Sequence, residues 1–322
     1  DYIVDRETGE ILSKKEKDKP QSTSPIYQRY LKCMEITPNA VIAMRVGDFY
    51  EIFGDHAIDI GNKLELTITG RDCGLEERAP MCGVPFHSYE SYVARLIKKG
   101  YKVAICEQME DPATAKGLVK RDIIRVITPG TVVENAMLEE SSNNYIASIF
   151  VEGNSFGICF CDVTTGELKC TNAVNTKELD NRIIEEISRY KPCEILFNDA
   201  FLDCREAGYF IKERINCMGE QIDDSEYDKK LVEKTIYDHF GKHSPNELGF
   251  ENILQENCVS ALLRYLYETQ KNGVSRISSV KFYDEKAFMK LDLSARRNLE
   301  LTETMRGREK RGTLLWVLDR TS

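Results

Sequence analysis

Residues 41–57 read VIAMRVGDFYEIFGDHA, and this stretch decides how the chain around it folds. Residues 41–46 are mostly apolar and predict a strand, and Gly47-Asp48 predicts a turn or kink at its end. In an extended segment, residues i and i+2 point the same way. Phe49 and Glu51 are therefore predicted to project side by side next to the turn.

The flanking sequence predicts a compact mixed α/β domain over residues 25–128. Ser24-Pro25 fits a helix start, with Ser as the cap and Pro at the first helical position. Helices are predicted over 26–36, 55–64 and 88–99, and strands over 41–46, 64–69, 101–106 and 123–128. Gly100 is expected to end the third helix in a left-handed conformation.

Residues 129–285 predict a second domain that opens with a connector over 129–141. Strands are predicted over 144–151, 156–163 and up to 171, then a helix over 177–190, a strand over 193–198 and a longer helix over 251–271. Strands first, followed by strand–helix alternation, is the element order of a ribonuclease-H-like sheet. Residues 286–322 are basic and predicted to be mostly helical. Their apolar end, LLWVL (314–318), suggests a third domain that is truncated.

Residues 1–24 are predicted to be a disordered tail, because 13–24 (SKKEKDKPQSTS) are polar and charged with nothing to bury. A weak hairpin signal precedes that segment, where apolar residues 2–4 and 11–12 flank Glu7-Thr8-Gly9. The chain begins with Asp1 rather than Met, so we expect a processed or excised chain.

Composition excludes several classes of protein. The chain has 322 residues, with 42% hydrophobic and 30% charged residues and a mean hydropathy of −0.40. We find no apolar run near the ~18 residues that a membrane span requires, and no export leader. The net charge is −9, but residues 25–128 hold 14 basic and 14 acidic side chains, whereas 129–285 hold 16 and 28. A DNA-facing surface on the first domain therefore remains possible.

Cysteines and metal-ligating residues predict neither disulfides nor a metal site. The eleven cysteines are odd in number and spread from Cys33 to Cys258, as expected of reduced thiols that act as small hydrophobes. His239 and His243 lie four apart in a predicted helix, but no third ligand is apparent. Asp162 lies where a ribonuclease-H-type nuclease would carry a carboxylate, yet a turn aspartate before Thr164-Thr165-Gly166 is favoured.

Spacing alone favours an ordinary interpretation of Phe49 and Glu51, as a packing residue and a solvated charge. A wider resemblance changes that balance. VIAMRVGDFYEIFGDHA resembles the mismatch-recognition segment of the MutS family of DNA mismatch-repair proteins. APMCGVPFHSYESYVARLIKKGYKVAICEQMEDPATAKGLVKRDIIRVITPGT (79–131) is similar to the rest of that family's first domain. DVTTGE (162–167) and LDLSARRNLELTETMRG (291–307) resemble its connector and the entry to its lever or core domain.

The resemblance implies roles for four residues. Phe49 would be the ring that the family wedges into the minor groove against a mispaired or unpaired base. Glu51 would be the carboxylate that hydrogen-bonds to that base. Arg71 and Arg121 match basic positions of the family's first domain and would contact the DNA backbone. Other basic residues, namely Arg95, Lys98, Lys99 and Lys102, are predicted to form a solvated helix face.

The resemblance also implies the organisation of the whole chain. The implied fold class is α/β, with a mixed-sheet mismatch-recognition domain (25–128), a ribonuclease-H-like connector domain (129–285) and a short helical stub of the core or lever domain (286–322). The family's partners are double-stranded DNA with mismatches, a second copy in a dimer, and a MutL-type protein. Its ATP and Mg²⁺ belong to an ABC-type ATPase domain. No membrane is involved, and the expected location is cytoplasmic and nucleoid-associated.

The expected function is recognition of mismatched or looped-out bases to initiate mismatch repair, without catalysis by this chain. No G-x-x-x-x-G-K-[ST] loop occurs in the sequence, so neither an ATPase activity nor a cofactor is expected here. The alternative from another class is a metal-dependent nuclease on the ribonuclease-H-like domain, with Asp162 as one ligand. A pure interaction module is the third possibility.

Overall fold

A computed structural model of the chain describes eleven ranges of residues. They are 2–4, 11–14, 23–110, 117, 119–132, 143–241, 245–270, 274–284, 293–302, 304–307 and 309–319. The described residues divide into two compact units. Unit 1 lies within residues 1–96 and 101–124, and unit 2 within 97–100 and 125–322. The predicted domain bounds remain predictions.

Up to residue 127, short helices alternate with strands. The strands are β1 (Tyr2–Val4), β2 (Ile11–Lys14), β3 (Ala40–Val46), β4 (Phe49–Phe53), β5 (Thr69–Arg71), β6 (Ala79–Pro85), β7 (Lys102–Gln108) and β8 (Arg121–Ile127). The helices are α1 (Pro25–Ile36), α2 (Gly54–Leu64) and α3 (Tyr89–Lys98). The side chain of Ser24 caps α1 by accepting from the Tyr27 amide at 3.4 Å, as the Ser-Pro pair predicts.

The sheet of unit 1 has the strand order β5-β6-β4-β3-β7-β8. β3 lies inside it, antiparallel to β4 and parallel to β7. Its first five residues are all buried, and so are the first five of β7, as expected of strands covered on both faces. Cys33 of α1 packs on this core with its sulfur 3.6 Å from that of Cys106.

The remainder of the chain forms strands β9 (Tyr145–Glu152), β10 (Ser155–Asp162), β11 (Glu167–Ala173), β12 (Glu194–Phe197), β13 (Met218–Gln221) and β14 (Lys281–Phe282). Its helices are α4 (Leu179–Tyr190), α5 (Arg205–Tyr209), α6 (Lys229–Phe240), α7 (Ile253–Thr269), α8 (Leu293–Asn298) and α9 (Leu314–Leu318). Phe210–Arg214 form one π-helical turn after α5.

The sheet of unit 2 has the order β13-β12-β9-β10-β11-β14. β9, β10 and β11 are antiparallel neighbours, whereas β12 runs parallel to β9 and to β13. Residues of α7 and α6 pack with side chains from the sheet in one apolar cluster, and residues of α4 and α5 do so in another. Both sheets are therefore mixed, which confirms the predicted α/β class.

Several local predictions are wrong. The segment predicted as a strand over 64–69 instead begins with the end of α2, because Glu65 adopts a left-handed φ of 58°. Tyr2–Val4 and Ile11–Lys14 pair as antiparallel strands, which confirms the weak hairpin signal; these described residues therefore differ from the tail predicted over 1–24. The other residues of 1–22, and 285–292 near the predicted helical end, lie outside the described residues. Beyond 292, the described helices α8 and α9 are short, with turns between them.

The eleven cysteines are free thiols, and all but the half-buried Cys193 are buried. This confirms the prediction that they act as small apolar groups. Burial is the largest cause that raises the pKa of Cys82, to about 11, which keeps its thiol protonated at neutral pH.

Gly157 of β10 allows α7 to lie unusually close to the sheet. A Cβ at this position would meet the backbone carbonyl of Leu254, in the first turn of α7. A methyl group on Gly157 therefore requires the helix backbone to move. Because α7 covers one face of the sheet, that shift would disturb the packing of the whole cluster.

We predict that Gly157→Ala destabilises unit 2 by ~1–3 kcal/mol or more, since overpacking against backbone cannot be relieved by a side-chain rotation. The measurement is urea-induced unfolding followed by far-ultraviolet circular dichroism. Gly208→Ala is the control, because nothing lies within 4 Å of its added methyl group and the residue is in helix α5. Equal stability of the two variants would contradict the close approach.

Candidate nucleic-acid interface

The tip between β3 and β4 is a tight two-residue turn. Val46 pairs with Phe49, so Gly47 and Asp48 form the whole loop. Gly47 adopts a φ of +59°, a conformation that favours glycine at the first position of such a loop. The carbonyl of Asp48 accepts a hydrogen bond of 2.8 Å from the Phe86 amide. This contact ties the tip to the chain after β6, so the position of Phe49 is well defined.

The exposed fraction rises steadily along one face of β4. Phe53 is 1% exposed, Glu51 is 9% exposed and Phe49 is 48% exposed. The three residues share a face because side chains alternate along a strand. The strand therefore carries a core residue, a carboxylate at the margin of the core and an aromatic ring at the surface.

The inner end of β4 is anchored by Tyr30 of α1. Its hydroxyl donates to the Phe53 carbonyl at 3.1 Å and accepts from the Phe53 amide at 3.2 Å. The two rings pack edge to face with centroids 4.9 Å apart. Since both backbone groups of Phe53 bond to one buried hydroxyl, the junction between β4 and α2 is fixed to α1.

The ring of Phe49 lies over Gly83 on the neighbouring strand β6. The position that a Cβ on Gly83 would occupy is 3.7 Å from Phe49 Cδ1 and 3.9 Å from Phe49 Cβ. Gly83 is the residue that pairs with Glu51. The ring therefore leans along the sheet toward the row of Glu51, as the alternation predicts, and leaves nearly half its surface open.

Glu51 is an ionisable group at the margin of the core. Its Oε2 accepts from Nη1 of Arg71, which forms an ion pair between β4 and β5. Burial raises the pKa of Glu51 above its ordinary value, and the charges of Arg71 and Arg121 offset part of that rise. Burial and the two guanidinium groups therefore act on the pKa of this carboxyl group in opposite directions.

The structure places the two predicted backbone-binding arginines differently. The side chain of Arg71 is 30% exposed beside Glu51. Arg121 is only 6% exposed; its Nε donates to the Arg45 carbonyl at 2.8 Å and its Nη1 donates to the Val119 carbonyl at 2.9 Å. Burial also lowers the pKa of Arg121. Its guanidinium thus supports the end of β3 from inside unit 1.

The opposite face of β4 carries a cluster of polar and aromatic side chains that the spacing of residues in the sequence does not predict. The hydroxyl of Tyr50 donates to Glu107 at 2.6 Å, and burial is the main cause that raises the pKa of Tyr50. The guanidinium carbon of Arg45 lies 3.4 Å from the ring centroid of Phe86, a close cation–π contact. Arg45 and Tyr50 are cross-strand partners, so only the strand register would have predicted the group.

One of the four basic residues predicted to form a solvated helix face does not belong to it. Arg95, Lys98 and Lys99 are exposed. Lys102 lies in β7 and is only 7% exposed, because the chain has already turned at Gly100 into the sheet.

Asp162 has the contacts of a turn residue. Its Oδ1 accepts from the Thr164 amide at 2.9 Å and from the Thr164 hydroxyl at 2.6 Å, and its carbonyl accepts from the Gly166 amide at 2.8 Å. These bonds hold the β10–β11 turn. They favour the turn interpretation over a metal-ligating one.

The predicted pair of His239 and His243 falls partly outside the described residues. α6 ends at Phe240, and His243 lies outside the described residues. Nδ1 of His239 is 2.7 Å from the Tyr267 hydroxyl and Nε2 is 2.6 Å from the Ile277 carbonyl, so both ring nitrogens are occupied. Across the ranges the structure describes, no three His, Cys, Asp or Glu side chains form a group able to hold a metal ion.

No helix within the described ranges is long and apolar enough to cross a membrane.

The β3–β4 tip combines two side chains that are chemically able to contact an unstacked base. An aromatic ring on a fixed turn provides a surface on which a base can stack. A carboxyl group beside it accepts a hydrogen bond when ionised and donates one when protonated. The near-neutral charge balance of residues 25–128 adds little general attraction to phosphates.

Comparison with known proteins identifies both parts of the chain. Residues 24–136 match the family model described as MutS domain I, and residues 144–279 match MutS domain II. The DNA mismatch repair protein MutS of Acetivibrio thermocellus is 46% identical over 300 residues, covering 93% of this chain and 34% of the relative. The MutS proteins of Ruminiclostridium cellulolyticum and Lachnoclostridium phytofermentans are 45% and 43% identical over 302 and 299 residues, covering 93% and 92% of this chain and 34% and 32% of those relatives. The chain spans about a third of the length of these relatives.

The exposure of Phe49 generates a stability prediction. Phe49→Ala is expected to cost no more than about 1 kcal/mol of unfolding free energy, because a half-exposed ring contributes little to the core. Phe53→Ala, on the same face of the same strand, is expected to cost ~3–5 kcal/mol. Chemical denaturation of both variants measures the difference. Equal losses would show that the Phe49 ring is a packing residue.

Proposed function

The chain belongs to the MutS family, and we propose that its first unit recognises mismatched or looped-out bases in double-stranded DNA as the opening step of mismatch repair. The observation that carries this proposal is the arrangement along β4. An exposed aromatic ring lies on a fixed turn, and a carboxyl group lies two residues behind it at the margin of the core.

Phe49 is proposed to be the wedge. A mismatched step is less well paired and stacked, so kinking and opening it costs less than opening a Watson–Crick step. An aromatic ring inserted from the minor groove recovers ~1–3 kcal/mol by stacking. The turn fixed by Gly47 and by the Phe86–Asp48 hydrogen bond supports this role, because a wedge that is already held in place loses little entropy on insertion.

Glu51 is proposed to contact the base exposed by the kink. A carboxylate brought against DNA is disfavoured by phosphate repulsion and by desolvation, so affinity alone does not explain an acid here. A discriminating role does. The simplest mechanism is that Glu51 takes up a proton on binding and donates a hydrogen bond to a base acceptor.

Contacts to the DNA backbone are proposed for Arg71, whose guanidinium is partly exposed. A phosphate contact by Arg121 stays a prediction that would require the guanidinium to leave the carbonyls of Arg45 and Val119. The geometry supports a positioning role for Arg121 at the end of β3.

For unit 2, we infer a ribonuclease-H-like connector that contacts other protein parts rather than phosphates. The antiparallel β9–β10–β11 strands followed by parallel β12 and β13 support this fold, and the excess of acidic residues supports a protein-facing role. The turn contacts of Asp162 favour this role over a nuclease. A cleavage assay with Mg²⁺ or Mn²⁺ separates the two.

The family's other properties are proposals that concern a longer protein than this chain. ATP and Mg²⁺ would be held by an ATPase domain, since this sequence contains no Walker-type loop; we propose that this chain hydrolyses no ATP. Dimer formation and a MutL-type partner are likewise proposed for the full-length protein, acting at the nucleoid.

The experiment that tests the proposed function is a mobility-shift titration of this chain. It compares a duplex with one G·T pair or a one-base bulge against the matched duplex of the same length. Tighter binding of the mismatched duplexes is expected, with a shallow salt dependence because few phosphates are neutralised. Equal affinities for the mismatched and matched duplexes would contradict mismatch recognition and favour the alternative that the chain is an interaction module.

Phe49→Ala is predicted to weaken mismatch binding by the lost stacking, ~1–3 kcal/mol or roughly 5- to 150-fold in Kd, while matched-duplex binding changes little. Phe86→Ala is the control, because Phe86 is similarly exposed at 42% but lies against Tyr50 on the other face of β4. The same loss of discrimination in both variants would contradict a specific wedge.

Glu51→Gln is predicted to bind matched DNA better than the unsubstituted chain and to lose part of the mismatch preference. A carboxyl group whose pKa is higher in the complex than in the free protein makes binding stronger as pH falls. The glutamine cannot titrate, so its Kd should not vary in this way. Titrations with both duplexes from about pH 5.5 to 8 bracket a carboxyl pKa raised by burial. Identical pH profiles would exclude Glu51 as the titrating group.

A further inference from the structure

The partner of Glu51 in the DNA-free chain is Arg71, for which the family resemblance implies a contact with the DNA backbone. Nη1 of Arg71 donates to Oε2 of Glu51, and the carboxyl side chain is 12% exposed against 30% for the guanidinium side chain. The group proposed to read the base is therefore already engaged within unit 1.

Three titratable or charged groups surround this carboxyl group. Arg71 forms an ion pair with it from β5, Arg121 acts on it electrostatically from β8, and the Cys73 thiol, in the chain after β5, is within range of its charge. Arg121 is held by its bonds to two backbone carbonyls. Arg71 belongs to a three-residue strand at the edge of the sheet. Of the two cations, Arg71 is therefore the one that can leave.

We propose that Arg71 competes with the mismatched base for Glu51, so that recognition exchanges an ion pair within the protein for a hydrogen bond to DNA. This inference rests on the proposed function and names the residue that sets its selectivity. Breaking a partly buried charge pair is costly unless the freed groups find new partners. A mismatched base exposed by the kink provides one for Glu51, and a matched base pair does not.

The exchange also explains how one arginine serves both states. In the free chain, Arg71 neutralises a carboxylate that would otherwise be buried unpaired. In the complex, the released guanidinium is free to bind a phosphate oxygen. Every duplex must break the Arg71–Glu51 ion pair, but only a mismatched duplex gives Glu51 a new partner. The unrecovered cost therefore disfavours matched DNA.

The test uses Arg71→Gln, alone and combined with Glu51→Gln, with Arg78→Gln as the control for loss of an exposed positive charge from the same loop region. Mismatch Kd is measured against pH and against salt. If the Arg71–Glu51 pair is absent from the complex, removing Arg71 raises the pKa of Glu51 in the free chain and leaves its pKa in the complex unchanged. The factor by which lower pH strengthens mismatch binding then becomes smaller in Arg71→Gln. It decreases about tenfold for each pKa unit by which Arg71 lowers the pKa of Glu51 in the free chain.

Three results are expected together. Arg71→Gln narrows the pH interval over which the mismatch Kd varies, because the lower limit of that interval moves to higher pH. The variant also makes the slope of log K against log salt shallower by about 0.9, the value for one phosphate contact. In the Glu51→Gln background, Arg71→Gln leaves the pH profile unchanged. Arg78→Gln leaves the pH profile unchanged in both backgrounds.

The contrary results are distinct. A pH profile that moves to higher pH without narrowing would mean that the pair persists in the complex, and an unaltered profile would mean that Arg71 does not act on Glu51; either overturns the exchange while mismatch preference stands. Absence of mismatch preference in the unsubstituted chain would overturn the proposed function itself, and the exchange with it. Carboxyl ¹³C titration of Glu51 in the DNA-free chain reports the pair independently of DNA. An unchanged Glu51 pKa in Arg71→Gln would refute it.

Discussion

The side-chain alternation of β4 is the constraint on which the proposed recognition site depends. One face of a five-residue strand carries Phe53 in the core, Glu51 at its margin and Phe49 at the surface. Tyr30 holds the inner end through both backbone groups of Phe53. A shift of one residue in register would turn all three side chains to the opposite face. The hydrogen bonds of the sheet thus contribute to the stability of the domain and also fix the direction in which the side chains of Phe49 and Glu51 point.

The environment of Glu51 follows from that position. Nearer the core, the carboxyl group would be excluded from DNA; nearer the turn, it would be fully hydrated and indifferent to its partner. At the margin, burial disfavours its charge while Arg71 favours it, and the two effects oppose each other. A change in either effect would alter the balance between the charged and neutral forms of Glu51, in keeping with the discriminating role proposed for it.

Much of this fold is predictable from sequence because local patterns are strong. The Ser-Pro cap of α1, the buried run of β3 and Gly100 each act through their immediate neighbours, and each prediction is confirmed. Long-range partners are different. The buried position of Arg121 and the Arg71–Glu51 pair depend on strand order, which spacing does not reveal. The wrong strand over 64–69 has a local cause, since apolar alternation there mimics a strand although α2 ends in a left-handed residue. The family resemblance supplied the roles of Phe49 and Glu51, which composition and periodicity alone left as ordinary.

Whether Phe49 meets the mismatched base itself can be determined by site-specific photo-crosslinking. Phe49 is replaced by p-benzoylphenylalanine, and the chain is irradiated with a duplex that carries one G·T pair, with the same replacement at Phe86 as the reference. If Phe49 is the wedge, position 49 crosslinks at the mismatched pair or its immediate neighbour. The crosslink is absent with the matched duplex and absent from position 86. Crosslinks spread evenly along the duplex, or equal yields with matched and mismatched DNA, would contradict that role.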